Sequence, residues 1–167
     1  MADETDPFPE RHLRAKLCVT VTDGRGRPKA AGRLSPWLAR IAPTAAVGLA
    51  SVALVGDPKM RDLNRRFRAV DRVTDVLSFP AEPVPGVRSL GSTAFLGDIV
   101  IATGRARRQA RAAGVTEQQE WRRLALHGLL HLLGYDHERD QGQMRRMERR
   151  LQRRGGLVVD GGQDGGP

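Results

Sequence analysis

Three histidines that fall within eleven residues constrain this chain more than any other feature. They belong to the segment HGLLHLLGYDH, in which His127 and His131 are four residues apart. The residues from Thr116 up to this segment contain no glycine or proline and predict a helix that continues to residue 133. Four residues make about one helical turn, so the two imidazoles should project from the same face.

The third histidine follows a glycine that can end this helix. Gly134 can adopt the left-handed backbone conformation at little steric cost, which would let the chain turn and bring His137 back toward the other two. Three converging imidazoles leave the fourth tetrahedral corner of a metal ion to water, as in catalytic zinc sites. A histidine pair at this spacing also arises by chance, but three with a glycine between the last two predict one zinc ion, bound by His127, His131 and His137.

The spacing matches the HExxHxxGxxH pattern of zinc proteases at every position except one. Gly128 occupies the place of the glutamate that serves as general base in those enzymes. The predicted ligands are therefore present, whereas the proton acceptor of peptidase chemistry is missing. A metal-dependent hydrolase of another substrate class is kept as an alternative.

The same segment resembles the signature of the YbeY family of bacterial endoribonucleases, which are also called rRNA maturation factors. The fixed positions of that signature, HGxLHLxGYDH, are all present here, and two further family blocks occur in the family's order. The first comprises MRDLNRRFR and TDVLSFP, within residues 60–80, and the second is LGDIVI, over residues 96–101. Val73 departs from the family, which usually has proline before TDVLSFP.

The resemblance implies a zinc-dependent, single-strand-specific endoribonuclease that acts in rRNA processing, at the 3′ end of 16S rRNA, and in ribosome quality control. Its implied partners are ribosomal RNA precursors, the small ribosomal subunit and assembly factors. The resemblance also gives Arg68 a functional role, in which it could stabilise charge on phosphoryl oxygens, although the chain has many surface arginines. A non-enzymatic ribosome-assembly factor with a structural metal is the other alternative.

Three acidic residues near the motifs have alternative interpretations. Glu120 falls on nearly the same helix face as His127, where it could accept a hydrogen bond or a proton, or simply be exposed. Asp136 could orient a ligand histidine or stabilise a turn. Asp98, within an apolar run, could join a polar network near the site or end the strand ladder.

The composition is consistent with a cytoplasmic protein that binds a polyanion. The chain has 167 residues, a formal net charge of +9 and a pI near 11.2, which suits RNA phosphates but also simply favours solubility. Sparse aromatic residues favour binding through the RNA backbone over base stacking. The single cysteine, Cys18, cannot form an internal disulfide and fits a reducing cytoplasm, in which no disulfide-linked partner is expected. The acidic N-terminus does not resemble a signal peptide, and no apolar run is long enough to span a membrane.

The hydrophobic pattern predicts an α+β fold, a small sheet of about four strands with several packed helices, one of them like the metal-binding helix of zinc hydrolases. Residues 1–12 are expected to form a flexible tail, residues 13–154 a single domain, and residues 155–167 a disordered glycine-rich tail. The predicted strands are 13–22, 47–55, 76–79 and 95–102, and the predicted helices begin near Ser35, Asp57, Thr103, Thr116 and Glu138.

Overall fold

The structure, a computed structural model, describes residues 16–82, 94–136 and 138–158. The predicted N-terminal tail lies outside these ranges, as does His137. Within them the chain forms an α+β fold of four strands and five helices. The strands are β1 (Leu17–Asp23), β2 (Gly48–Val55), β3 (Val76–Pro80) and β4 (Phe95–Ala102). The helices are α1 (Leu34–Ile41), α2 (Asp57–Arg68), α3 (Thr103–Ala113), α4 (Glu117–Leu132) and α5 (Gln143–Arg154), and a short 3-10 turn (Ala31–Arg33) precedes α1.

The sheet is mixed, with the strand order β1-β2-β4-β3. The strands β1, β2 and β4 are parallel neighbours, whereas β3 runs antiparallel to β4 at the edge. Parallel neighbours require a crossover connection, and α1 supplies it between β1 and β2. The antiparallel pairing places Ser78 opposite Ile99. Since paired residues point to the same side of a sheet, both face the same layer of helices.

Helix α4 lies at the centre of the main hydrophobic core. It packs with α1 against one face of the sheet, and α3 and α5 pack against α4. Its residues Leu124, Leu126, Leu129 and Leu130 are buried, and each such side chain contributes about 1.5–3 kcal/mol relative to an exposed one. The helix α2 covers part of the other sheet face, where Met60 joins a smaller cluster. No helix in the described ranges has the length and apolar character needed to cross a membrane.

Local sequence signals set the ends of α4, whereas α5 begins later than predicted. A capping box joins Thr116 and Gln119 at the start of α4, and Gly134 adopts the left-handed conformation just past its end, with φ of 89°. The helix predicted from Glu138 begins at Gln143. The cause is the turn before it, where Gly142 is left-handed and the Asp140 carboxylate accepts the backbone N–H of Gly142 at 2.8 Å.

The packed chain continues three residues past the predicted domain end at residue 154. The Gly155 carbonyl accepts a hydrogen bond from the Trp37 indole nitrogen at 2.9 Å, and a Cβ at Gly155 would lie 2.5 Å from the Trp37 ring. Leu157 is buried in the main core. Residues 159–167 of the predicted tail lie outside the described residues.

Helix α4 approaches the sheet most closely at Gly128. A Cβ at this position would lie 2.6 Å from Cγ2 of the buried Ile99 and 3.1 Å from the Ser78 hydroxyl oxygen. The Ser78 hydroxyl donates a hydrogen bond to the Gly128 carbonyl at 3.2 Å. The position that carries a glutamate in zinc proteases therefore has no room for a side chain in this fold.

We expect Gly128→Ala to lower the free energy of unfolding by about 1–3 kcal/mol, the usual cost of overpacking a buried contact. Alanine has the better helix propensity, so the loss would report the contact with Ile99 rather than the helix backbone. Urea denaturation of wild type and variant measures the difference. Because Ile99→Ala removes the clashing atom, the double variant should lose less stability than the sum of the single losses. Strictly additive losses would contradict the close contact.

Candidate active site

His127 and His131 lie next to each other on α4 and line one cleft. Their Nε2 atoms are 3.1 Å apart, and their ring centroids are 4.7 Å apart. Zinc–nitrogen bonds are about 2.0–2.1 Å long, so two nitrogen ligands at a tetrahedral angle are about 3.3 Å from each other. The two Nε2 atoms are therefore spaced like two corners of a zinc coordination tetrahedron. This donor pair fits a zinc ion.

His137, the third predicted ligand, lies outside the described residues. Within residues 16–82, 94–136 and 138–158, no group of three His, Cys, Asp or Glu side chains is placed to hold a metal ion. The chain does turn after α4, since the backbone N–H of Tyr135 donates to the Leu130 carbonyl at 3.1 Å. The ligand set of three histidines stays a prediction.

A carboxylate lies against the other nitrogen of His127. Nδ1 of His127 is 3.3 Å from Oε1 of Glu148, which is on α5 and has a side chain only 17% exposed. An imidazole whose Nδ1–H is held by a carboxylate presents its Nε2 lone pair in a fixed direction, as metal-binding histidines usually do. Glu148 is thus suited to orienting His127. Sequence analysis missed it, because 21 residues separate the two and they lie on different helices.

Glu120, considered above as a partner of an imidazole or as an exposed residue, is buried and paired with Arg123. The Arg123 Nε donates to Oε2 of Glu120 at 3.0 Å, and Glu120 is 3% exposed. The hydrogen bond that Arg123 donates to Glu120 raises the pKa of Arg123 despite its burial, and the charges of Asp75 and Glu148 raise it further. Glu148, rather than Glu120, contacts His127. The Glu148 carboxylate also interacts electrostatically with the Arg123 guanidinium.

Arg68 lines the same cleft as the two histidines. It is the last residue of α2, and its Nη2 donates to the Ser78 carbonyl at 3.0 Å while its guanidinium lies 5.9 Å from the centre of the Phe79 ring. The cleft has a volume of about 530 Å³. Its lining also includes two hydroxyl residues that sequence analysis did not assign to the site, Thr74 and Ser78. Among the described residues, those that line the cleft are Arg68, Thr74, Val76, Leu77, Ser78, Pro80, His127, His131 and Glu138.

The other two acidic candidates lie elsewhere. Asp136 stabilises a turn, where its carboxylate accepts the backbone N–H of Glu138 at 3.0 Å. Asp98 pairs with Phe79, one position along from the Ser78 and Ile99 pair that faces α4, so it lies on the opposite face of the sheet. It does not end the strand ladder either, because β4 continues to Ala102.

The strand that carries Ser78 is anchored at its start by Asp75. One carboxylate oxygen of Asp75 accepts a hydrogen bond from the Gln109 side chain at 3.0 Å, and the other accepts the backbone N–H of Val76 at 2.9 Å. Burial alone would raise the pKa of Asp75. The hydrogen bonds outweigh that effect and hold the pKa below its usual value of 3.8.

This depressed pKa predicts how stability depends on pH. The ionised Asp75 stabilises the fold fully above the unfolded value of 3.8, and this contribution is lost as the pH falls through the lower folded value. We therefore expect Asp75→Asn to be less stable than wild type near about pH 7, with the gap narrowing below about pH 4. Urea denaturation across this range measures the gap. A gap of constant size down to about pH 2 would contradict the role given to Asp75.

Comparison with known proteins shows the family. A family model described as Endoribonuclease YbeY matches residues 38–154. A relative from Anaeromyxobacter sp. (strain Fw109-5), named Endoribonuclease YbeY, is 48% identical over 119 residues, which cover 70% of this chain and 59% of the relative. A relative of the same name from Solibacter usitatus is 50% identical over 104 residues, which cover 62% of this chain and 64% of the relative.

Comparison with solved structures finds a protein of similar fold. The solution structure of a protein from Thermotoga maritima aligns with a TM-score of 0.54 and 25% identity, over 87% of this chain and 99% of that one. The chain spans about 60% of the length of the curated relatives it matches. The matched range begins within α1 and ends with α5, so it includes the histidine segment, Arg68 and Glu148. With most of its length matched by the family model, this protein belongs to the YbeY family.

Proposed function

We propose that this protein is a zinc-dependent endoribonuclease that cleaves single-stranded RNA. The observation that carries the proposal is the 3.1 Å spacing of the His127 and His131 Nε2 atoms in a cleft that Arg68 also lines. Relatives in the YbeY family bear the name endoribonuclease, which supports the reaction class. Gly128 argues against a peptidase, because the packing on Ile99 leaves no room for the glutamate base.

The metal would be held by His127, His131 and His137. An all-imidazole donor set without thiolates suits zinc best among common metals. A bound zinc ion would supply Lewis acidity toward the phosphoryl group and lower the pKa of water to about 7. Glu148 would keep His127 in the tautomer whose Nε2 lone pair faces the ion.

Arg68 would bind the phosphate at the cleavage point. Its guanidinium is positioned on the cleft by the Ser78 carbonyl and by the Phe79 ring, which reduces the entropy lost when it engages a ligand. The planar guanidinium pairs with phosphate oxygens through two parallel hydrogen bonds. Negative charge that develops on those oxygens during cleavage would be stabilised, an effect worth about 10²–10³ in rate for one well-placed donor.

The biological assignment follows from the family resemblance and from the charge. We propose ribosomal RNA precursors as substrates, with maturation of the 16S 3′ end and ribosome quality control as the processes, and the small subunit and assembly factors as partners in the cytoplasm. The net charge of +9 supports a polyanionic substrate.

The test is cleavage of single-stranded RNA by the purified protein, with and without a metal chelator. We expect chelation, His127→Ala and Arg68→Ala each to slow cleavage by at least about 10²-fold. Arg66→Ala is the matched control, since Arg66 is exposed on the same helix α2 and does not line the cleft. Circular dichroism checks that each variant is folded.

Unchanged cleavage after chelation or in His127→Ala would assign the activity to a contaminating nuclease and overturn the proposal. A metal that only stabilises the fold would instead give a protein that melts on chelation and never cleaves RNA. Product ends identify the nucleophile, because a 3′-hydroxyl end excludes attack by the 2′-hydroxyl of the RNA.

A second prediction concerns Glu148. We expect Glu148→Gln to weaken zinc binding by about 10- to 100-fold, the usual effect of removing the carboxylate partner of a histidine ligand. Competition with a chromophoric chelator measures the affinity without relying on activity. Glu117→Gln is the control, since Glu117 is on α4 and pairs with Arg107. Equal zinc affinity in wild type and Glu148→Gln would contradict the orienting role.

A further inference from the structure

A second cleft, here called the arginine cleft, lies beside α1 and α4. It is lined by Arg33, Pro36, Trp37, Arg40, Arg122 and Gly155 and has a volume of about 370 Å³. We propose that it binds a phosphate of the same RNA strand that enters the active site, at some distance from the cleavage point. This inference rests on the proposed endoribonuclease function and extends it.

The three arginines of this cleft have no carboxylate partner in the part of the chain that the structure describes. They come from the 3-10 turn, α1 and α4, and among the residues that the structure describes no acidic side chain lines the cleft with them. Other surface arginines, such as Arg61 and Arg108, are paired with aspartates at 2.8 Å. Three unpaired guanidinium groups in one concave surface would attract a phosphate strongly.

Arg122 is already held in the cleft. Its Nη2 donates to the Gly32 carbonyl at 3.0 Å, and its guanidinium lies 5.5 Å from the centre of the Trp37 ring. Its Nε is buried and has no hydrogen-bond partner within the described part of the chain. Buried donors without partners are rare in folded proteins, and a nearby anion would offset the cost. The guanidinium is thus prepared for a negatively charged ligand.

The turn that presents Arg33 has an unfavourable backbone conformation. Ala31, Gly32 and Arg33 have consecutive φ values of 41°, 60° and 61°, in the left-handed region that residues other than glycine rarely adopt. Such strain persists only where the surroundings maintain it, and it is common at ligand sites. Here the bond from Arg122 to Gly32 holds the turn against α4.

The position of the cleft indicates which part of a substrate it could reach. Arg122 precedes His127 by five residues and His131 by nine, so it lies about 140° and 180° around the α4 axis from them. The axial offset is about 8–14 Å and a helix is about 10 Å wide, so a strand that passes around α4 from one cleft to the other covers about 14–21 Å. At about 3.4 Å per stacked nucleotide, an RNA must extend about five nucleotides beyond the cleavage point to reach the arginine cleft.

The chemistry of the cleft favours phosphate over base recognition. Trp37 is 5% exposed, because its ring packs against Gly155 and its indole N–H is bonded to the Gly155 carbonyl. A buried ring offers no face on which a base could stack. Contacts to phosphates position a strand without reading its sequence, so the arginine cleft would favour longer RNA whatever its sequence.

The experiment compares long and short RNA. The cleft variant combines Arg33→Asn, because asparagine tolerates a left-handed backbone, with Arg40→Gln. The control combines Arg105→Gln and Arg111→Gln, which removes the same charge from exposed positions on α3. Fluorescence anisotropy of the full chain measures binding of labelled RNAs of about 20 and about 4 nucleotides at several salt concentrations. Cleavage of both RNAs is measured in parallel.

We expect the cleft variant to bind the long RNA about 3- to 10-fold more weakly than the control variant does, while the two bind the short RNA equally. The slope of log K against log salt should become shallower by about 0.7 for each phosphate that the variant no longer binds. The ratio of kcat/KM for long over short RNA should fall in the cleft variant alone.

Equal weakening in the cleft and control variants would overturn the proposal, because total charge would then explain binding. Binding of orthophosphate and of AMP to the same variants is measured as well. If either binds in a manner that depends on Arg33 and Arg40 while long RNA shows no such dependence, the occupant is a small anion and the assignment to RNA is wrong. If wild type cleaves neither RNA, the proposed nuclease function fails, whereas the binding data still decide the role of the arginine cleft.

Discussion

The close contact between α4 and the sheet at Gly128 determines the geometry of the candidate active site. Because no side chain separates the helix from Ile99 and Ser78, the helix axis comes close to β3 and β4. His127, adjacent in sequence, is thereby brought next to the strand whose carbonyl holds Arg68. A glutamate at this position, as zinc proteases have, would push the helix away from the sheet. Gly128 therefore determines both the close packing of α4 on the sheet and the absence of a protease-type glutamate beside His127.

The polar groups around the histidines form a connected set. Glu120 is buried and forms an ion pair with Arg123, which is partly exposed. The charge of Arg123 also interacts with those of Asp75 and Glu148, and Glu148 contacts His127. A buried charge is tolerated when it is paired, so the guanidinium of Arg123 compensates the buried carboxylate of Glu120. The orientation of the His127 imidazole thus depends on a carboxylate from a different helix, α5.

Much of the fold could be predicted from the sequence, because its signals are local. The capping box at Thr116, the left-handed Gly134 and the bounds of β4 and α3 follow from short patterns of apolar, small and capping residues. The α5 helix was predicted five residues too early, since its charged first residues fit either a helix or a turn. The turn forms instead of a first helical turn because the Asp140 carboxylate accepts a hydrogen bond from the backbone N–H of Gly142.

The candidate site was predictable only where its residues share one helix or a family block. His127 and His131 follow from helical periodicity, and Arg68 followed from the resemblance, not from its own surroundings. Glu148 and Arg122 have no local signal, because their partners, His127 and Trp37, lie on other helices. Glu120 has the right spacing to join the histidines, but it pairs with Arg123 instead.

The last helix, α5, and the glycine that follows it contact residues of both clefts. Glu148 contacts His127, which lines the first cleft, and Gly155, directly after α5 and about two turns further on, lines the arginine cleft. Met144 and Leu151, on the inner face of α5, are buried in the main core. Because the helix is rigid and packed in the core, one of its ends cannot move without the other. A displacement of α5 would therefore weaken the contact with the His127 imidazole and the contact with the Trp37 indole together.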